Sequence, residues 1–199
     1  KNSGLADEIK ALAAKGTPVI GICGGNQMLG TAIYDPHHME GDIEESEGLG
    51  LVNSTTTMKD KKTTHQVTFD VDNLQFLNGQ FSGSELVGYE IHMGDTTPND
   101  ESVKRCFTIT KRSESAIEVV DGFIDGQHQV MGTYIHGVFD NDDFRRFIVN
   151  QLRLRKGLEE MPVVFHYFEH KNNAYNRLAD IVEEHLDMDY IMSLLKDNG

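Results

Sequence analysis

Residues 16–30, GTPVIGICGGNQMLG, carry an apolar run into Gly-Ile-Cys-Gly-Gly before helical spacing begins. A thiol placed where a strand meets a helix gains twice: the positive end of the helix dipole favours thiolate, and exposed backbone N–H groups can hold an oxyanion. Cys23 is therefore a candidate nucleophile. Gly21, Gly24 and Gly25 around it suit close backbone approach or positive φ. The same composition also suits a small buried hydrophobe or a turn that cradles phosphate, and the spacing alone leaves all three readings open.

A cysteine nucleophile needs a base, and the chain has nine histidines. His136 ends the apolar run QVMGTYIHG just before a helix, the strand end at which site residues of α/β sheets gather. His92 ends GYEIHMG, between Gly88 and Gly94. Each alone reads as structural; beside a reactive cysteine each becomes a candidate. His37 and His38, followed by Glu40, Asp42, Glu44 and Glu45, lack a regular ligand spacing and read as a solvated acidic loop. His166 and His170 are four apart, but in a segment without clear helical periodicity, so no metal site is expected. Cys106 opens a strand and reads as core.

The elements that must position these residues follow from periodicity. SGLADEIKALAAKG places Leu5, Ile9 and Leu12 on one helical face, with Ser3 as N-cap and Gly16 as stop. TPVIGI is a short continuous apolar run, as in a buried parallel strand, and GNQMLGTAIY reads as helix. Residues 35–50 are acidic and aperiodic, a surface loop. From 51 to 133 the runs LVNSTTTM, HQVTFDV, ELVGYEIHMG, CFTITKR, IEVVDGFIDG and QVMGTYIHG are rich in β-branched and aromatic residues. DNDDFRRFIVNQLRLRKG returns to helical spacing, with Asp140 or Asn141 as cap, and AYNRLADIVEEHLDMDYIMSLL forms one or two amphipathic helices. The class is α/β.

At 199 residues and 38% hydrophobic, the chain can bury one core of ordinary domain size. Eighteen basic against 32 acidic side chains give a formal charge of −14, which disfavours nucleic acid and anionic membranes as partners. Two cysteines, with no Cys-x-x-Cys pair, indicate neither a disulfide framework nor a zinc ribbon, and fit a reducing cytoplasm. No apolar run approaches the ~18 residues of a membrane span.

In succession, GTPVIGICGGNQMLG, EGLGLV, GYEIHMGDT, VMGTYIHGVFDNDDFRR and NRLADIVEEHLDMD resemble the glutamine amidotransferase domain of the cobyric acid synthase family, the cobyrinate type of class I amidotransferase, over nearly the whole chain. GYEIHMG and LADIVEEHLDMD favour that family over its relative, cobyrinate a,c-diamide synthase. The resemblance implies a flavodoxin-like three-layer sheet with helices on both faces. It implies an amidotransferase domain over 1–155, and a linker and helical segment over 156–199 packed on it.

The implied activity is hydrolysis of glutamine to glutamate and ammonia by a Cys-His dyad. The ammonia passes to an N-terminal synthetase domain that amidates carboxylates of a corrin substrate, cobyrinic acid diamide. No cofactor is implied within this domain; ATP and Mg²⁺ belong to the synthetase domain. Cys23 takes the role of nucleophile and His136 that of base, the Gly24 N–H is an oxyanion donor, and Gln27 helps hold the substrate glutamine. Two departures stand out. Val138 occupies the position where many class I enzymes carry a glutamate that orients the histidine, which leaves Glu90, Asp140 or a backbone carbonyl to do so. Asn26 replaces a tyrosine common in the family.

The resemblance also implies a PGSKN-like turn before the first helix, supplying a second oxyanion donor, with Lys1-Asn2-Ser3 as its remnant and the first strands of the sheet upstream. Weak or absent glutaminase activity of this chain alone is expected on that basis, since one donor is worth roughly 2.7–4 kcal/mol of barrier. Two readings from other classes remain: a non-catalytic docking domain, and a small-anion or nucleotide-binding module built on the turn at 21–25.

Overall fold

The computed structural model describes residues 3–127 and 129–196; Lys1 and Asn2, the expected remnant of an upstream turn, lie outside them. The chain divides into two compact units, residues 1–161 and 162–199. The first unit runs past 155 because the Asn150 amide clasps Met161, donating to its carbonyl and accepting from its N–H, both at 3.0 Å. The second contains helices α4 (Tyr167–His185) and α5 (Met188–Lys196). His166 is the N-cap residue of α4, so helical structure begins just where the sequence pattern is indistinct.

In the first unit, α1 (Leu5–Ala14) starts after Gly4, which takes a φ of 73°. The apolar run becomes β1 (Val19–Ile22), which pairs parallel with β9 (Val130–Thr133) in the register Ile22↔Thr133. Between them in sequence lie α2 (Gly24–Leu29), β2 (Ala32–Tyr34), β3 (Glu45–Glu47), β4 (Ser54–Phe76), β5 (Gly79–Pro98), β6 (Phe107–Arg112), β7 (Ser115–Asp121) and β8 (Phe123–Ile124). β10 (Ile135–His136), a 3₁₀ turn (Val138–Asp140) and α3 (Asp142–Arg155) follow. β1, β9 and β8 form a three-stranded sheet. The other seven strands form a second sheet, antiparallel apart from the β2–β4 pair.

Several boundaries differ from the sequence pattern. GNQMLGTAIY is not one helix: α2 stops at Gly30, and Ala32–Tyr34 is a strand. A Cβ on Gly30 would meet the Ser54 carbonyl oxygen at 2.6 Å, and Thr31 N–H donates to that same oxygen at 2.8 Å, so the chain is drawn onto β4. Part of the acidic loop pairs as β3 with β2. From Ser54 on, LVNSTTTM and HQVTFDV belong to one strand, because pairing with β5 resumes at Thr63↔His92 across a register shift after Met58, in spite of the turn former Asp60. QVMGTYIHG, by contrast, breaks at Tyr134. The Asp121 carboxylate accepts from Thr133 Oγ1 and from the Tyr134 N–H, and Thr133 Oγ1 in turn accepts from the Ile135 N–H at 3.0 Å. The strand therefore leaves one sheet and joins the other within two residues.

The main core fills the space under the β4–β6 hairpins and α3. Phe69, Phe107, Ile109, Met131, Ile135 and Phe144 are buried in it, with Phe69 and Phe107 edge to face at 5.7 Å. No helix among the described residues is long and apolar enough to cross a membrane.

Gly21 shows how tightly α2 sits on β1: a Cβ there would meet the Gly25 carbonyl oxygen at 2.6 Å and Leu29 Cδ1 at 2.7 Å. Because the first of these is backbone, Gly21→Ala is expected to cost about 1–3 kcal/mol, as overpacking does. A urea titration checks this: the midpoint falls while the slope is unchanged.

Candidate active site

The turn after β1 puts its strain on the cysteine itself. Cys23 has φ 55° and ψ −114°, a conformation that side-chain-bearing residues rarely adopt, whereas Gly24 and Gly25 have no positive φ. Such a backbone costs on the order of 1–3 kcal/mol and persists where its surroundings over-determine it. Here the Cys23 N–H donates to the Thr133 carbonyl at 2.9 Å, and the Cys23 carbonyl accepts from the Gln27 N–H at 3.1 Å. The thiol, at 3.6 Å, points to the carbonyl oxygen of Ile91 on β5. Gly21 is needed for close approach, as the fold shows; a Cβ on Gly24 would meet nothing within 4 Å, so the space before it is open.

His136 stands on the strand paired with the same β5. β10 pairs antiparallel with β5 in the register Ile135↔Glu90 and His136↔Tyr89. Gly88 permits this approach, since a Cβ there would meet Ile135 Cγ2 at 2.5 Å and the His136 carbonyl oxygen at 2.6 Å. Cys23 and His136 thus both meet one stretch of β5, residues 89–91, although 113 positions separate them (136 − 23). The His136 ring stacks on Tyr89 at 4.8 Å and 12°. Its Nε2 is buried and has no hydrogen-bond partner among the described residues. Burial, and then the charge of His92, push the His136 pKa below its usual value. The ring is thus kept in the form that can accept a proton.

Neither acid considered for orienting His136 is hydrogen-bonded to it among the described residues. Glu90, 2% exposed, is committed elsewhere: Arg112 donates to its two oxygens at 2.7 and 3.0 Å, and His92 Nε2 lies 3.3 Å from Oε1. Burial raises the Glu90 pKa, but the hydrogen bonds from His92 and Arg112, together with their charges, outweigh it and hold the carboxyl below its usual value. The Asp140 carboxylate lies by Gly137, whose φ of 73° turns the chain away after His136. Val138 points into the main core, fully buried, so an acid there would not face the ring on this backbone. Stacking on Tyr89 holds the ring instead.

Gln27 stands with Cys23 and Gly24 in the wall of a cleft of about 530 Å³. Its side chain bonds Tyr134, whose hydroxyl is 2.7 Å from Thr96 Oγ1. Burial pushes the Tyr134 pKa up to about 12. The cleft is also lined by the stretch that reads as a surface loop, including Asp35, Asp42 and Ser46. The loop is shaped by Asp35, whose carboxylate accepts from the N–H groups of Met39 and Glu40 at 2.8 Å each, which also lowers its pKa. Sequence reading missed Ile91, Arg112 and Asp121. Ile91 acts through its backbone, which no residue type announces; Arg112 and Asp121 sit at strand ends and have no local motif. His38, paired with Glu44 at 3.5 Å, stays in the acidic loop, and Cys106 is buried in the core. Asn26 is buried, with Oδ1 unpartnered among the described residues and directed at Gly132.

Comparison with known proteins gives a consistent picture. The family described as CobB/CobQ-like glutamine amidotransferase domain matches residues 1–144. The chain is 41% identical over 195 residues to a cobyric acid synthase of Dehalococcoides mccartyi, covering 98% of the chain and 38% of that protein. It is 37% identical over 199 residues to a cobyric acid synthase of Salmonella heidelberg, covering 100% of the chain and 38% of that protein. The chain therefore spans less than two fifths of the length of these relatives. Among solved structures, PurLQS from Thermotoga maritima aligns with a TM-score of 0.47 and 19% identity, over 67% of this chain and 57% of that one.

Removing the guanidinium from Glu90 leaves a buried carboxylate with one partner. Arg112→Met is expected to cost about 2–4 kcal/mol, less than the loss of a fully buried pair because the Arg112 side chain is 27% exposed. The lowered Glu90 pKa sets the pH dependence: the contribution is complete above the ordinary glutamate range and is lost as pH falls through the folded-state value. Thermal unfolding at neutral and acidic pH checks both, the gap between wild type and variant narrowing in acid.

Proposed function

The chain belongs to the CobB/CobQ-like glutamine amidotransferase domain family, and from that premise we propose that it is the glutaminase part of a cobyric acid synthase. In this reading it releases ammonia for ATP-dependent amidation of corrin carboxylates by a synthetase domain. The observation that carries the reading is the strained Cys23, whose thiol opens on a cleft shared with Gly24 and Gln27, while His136 flanks the same three residues of β5.

Glutamine enters with its side-chain amide over Cys23. His136 takes the thiol proton as sulfur attacks the amide carbon, and the oxygen gains charge before the Gly24 N–H. His136 then gives the proton to the departing nitrogen, the carbon–nitrogen bond breaks, and ammonia leaves a glutamyl thioester. Water, deprotonated by His136, attacks the thioester carbon. The carbon–sulfur bond breaks, glutamate is released, and the proton returns to the thiol. A histidine with a lowered pKa suits this cycle, because at neutral pH it is free to accept and, once protonated, is acidic enough to donate. Gln27, tethered through Tyr134, offers the side-chain amide of the substrate a polar partner in the cleft wall.

In the full-length protein Cys23→Ala is expected to abolish release of glutamate from glutamine, and His136→Asn to lower kcat about 10²–10⁴-fold. The acid limb of kcat/KM should fall on the acid side of the ordinary histidine value of about 6.5. Undiminished turnover in Cys23→Ala would falsify the reading. Covalent labelling of Cys23 by diazo-oxo-norleucine, located by peptide mass spectrometry, provides an independent check.

A further inference from the structure

We propose that His92, which the dyad does not use, is a positioning residue that braces β5, whose Ile91 carbonyl faces the Cys23 thiol, against the Tyr134 segment that leads into the strand of His136. This rests on the glutaminase reading of the site. In a strand, residues two apart share a face, and on β5 the side chains of Glu90 and His92 are joined by the 3.3 Å contact from Nε2 to Oε1. The residue between them is Ile91, whose carbonyl faces the Cys23 thiol. His92 Nδ1 lies 2.8 Å from the Gly94 carbonyl oxygen, so the brace extends along the strand on both sides of its own residue. The peptide carrying the thiol's acceptor is therefore held by side-chain bonds as well as by the sheet ladder.

The ring also grips the opposing segment. It stacks on Tyr134 at 4.0 Å and 16°. Tyr134 lies between Thr133, whose carbonyl accepts from the Cys23 N–H, and the Ile135–His136 strand. Glu90 is in turn fixed by Arg112 from β6. The chain of contacts runs Arg112, Glu90, His92, Tyr134, from the end of β6 to the break between β9 and β10. Each His92 nitrogen faces an acceptor, so neither is placed to act as a base for sulfur, whereas His136 Nε2 has no hydrogen-bond partner among the described residues. The two histidines thus differ in role: one carries protons and the other holds geometry.

The test is the rate at which diazo-oxo-norleucine labels Cys23 in the full-length protein. His92→Phe keeps a flat ring against Tyr134 and loses both hydrogen bonds. Its maximal labelling rate is expected to fall about tenfold, with the half-saturating concentration within about twofold of wild type, as for loss of hydrogen bonds acting on orientation. His92→Asn can place its amide nitrogen where Nδ1 stood and keep the Gly94 bond; its rate is expected to recover to about threefold below wild type. A wild-type maximal rate in His92→Phe overturns the proposal, as does an effect confined to the half-saturating concentration. Should His92→Phe fail to fold, a wild-type rate in His92→Asn overturns it equally. Wild-type protein that iodoacetamide alkylates at Cys23 but the glutamine analogue does not would overturn the glutaminase reading itself. Normal labelling by the analogue, with the variants unaffected, removes only the role of His92.

Discussion

Everything at the site depends on the backbone of Cys23, held at φ 55° and ψ −114°. A side-chain-bearing residue stays there only if neighbouring contacts offset the strain. Those contacts come from three elements: the Thr133 carbonyl at the end of β9, the Gln27 N–H in the first turn of α2, and the packing of Gly21 under Gly25 and Leu29. The parallel pair β1–β9 is consequently more than scaffold. Its register puts Thr133 opposite Ile22, which sets the carbonyl where the next residue's N–H needs it.

A second constraint is electrostatic. Two carboxylates, Glu90 and Asp121, are buried near the point where the chain passes from one sheet to the other. They are treated differently. Glu90 is matched by Arg112 and His92 and stays below its usual pKa, whereas burial pushes Asp121 above its own despite the hydrogen bonds from Thr133 and Tyr134. Asp121 fixes the break at Tyr134 by accepting from the Thr133 hydroxyl just before it and from the Tyr134 N–H itself. That break is why a run that looks like one strand delivers His136 to a different sheet from Thr133, and so to the flank of β5. Burial of polar groups here specifies geometry, at a cost that the hydrogen bonds offset.

Much of this was legible from residue types. The apolar run before Cys23, the helical spacing of Phe144 and Ile148, and the core position of Cys106 follow from periodicity, and the structure has them as β1, α3 and buried core. The stretch Ala32–Tyr34 was misread because helix and strand propensities differ little over a few residues, and its pairing with Thr55–Thr57 is a tertiary choice. The stretch over 35–50 is acidic and aperiodic, as written in the residues. That it walls the cleft beside Cys23 depends on β3 pairing with β2, which no local pattern announces.

By itself the sequence determined which chemical groups are available and which local conformations are cheap. A thiol among glycines after an apolar run, a histidine before a helix start and an order of motifs that names a family all depend only on residue type and spacing. Tertiary structure alone decided which partners those groups meet. Glu90 turned out to serve Arg112 and His92, Val138 went to the core, the thiol met a backbone carbonyl, and the His136 ring met Tyr89. The physical reason is that hydrogen bonding and stacking act over a few ångströms between residues far apart in the chain, and sheet register sets those distances.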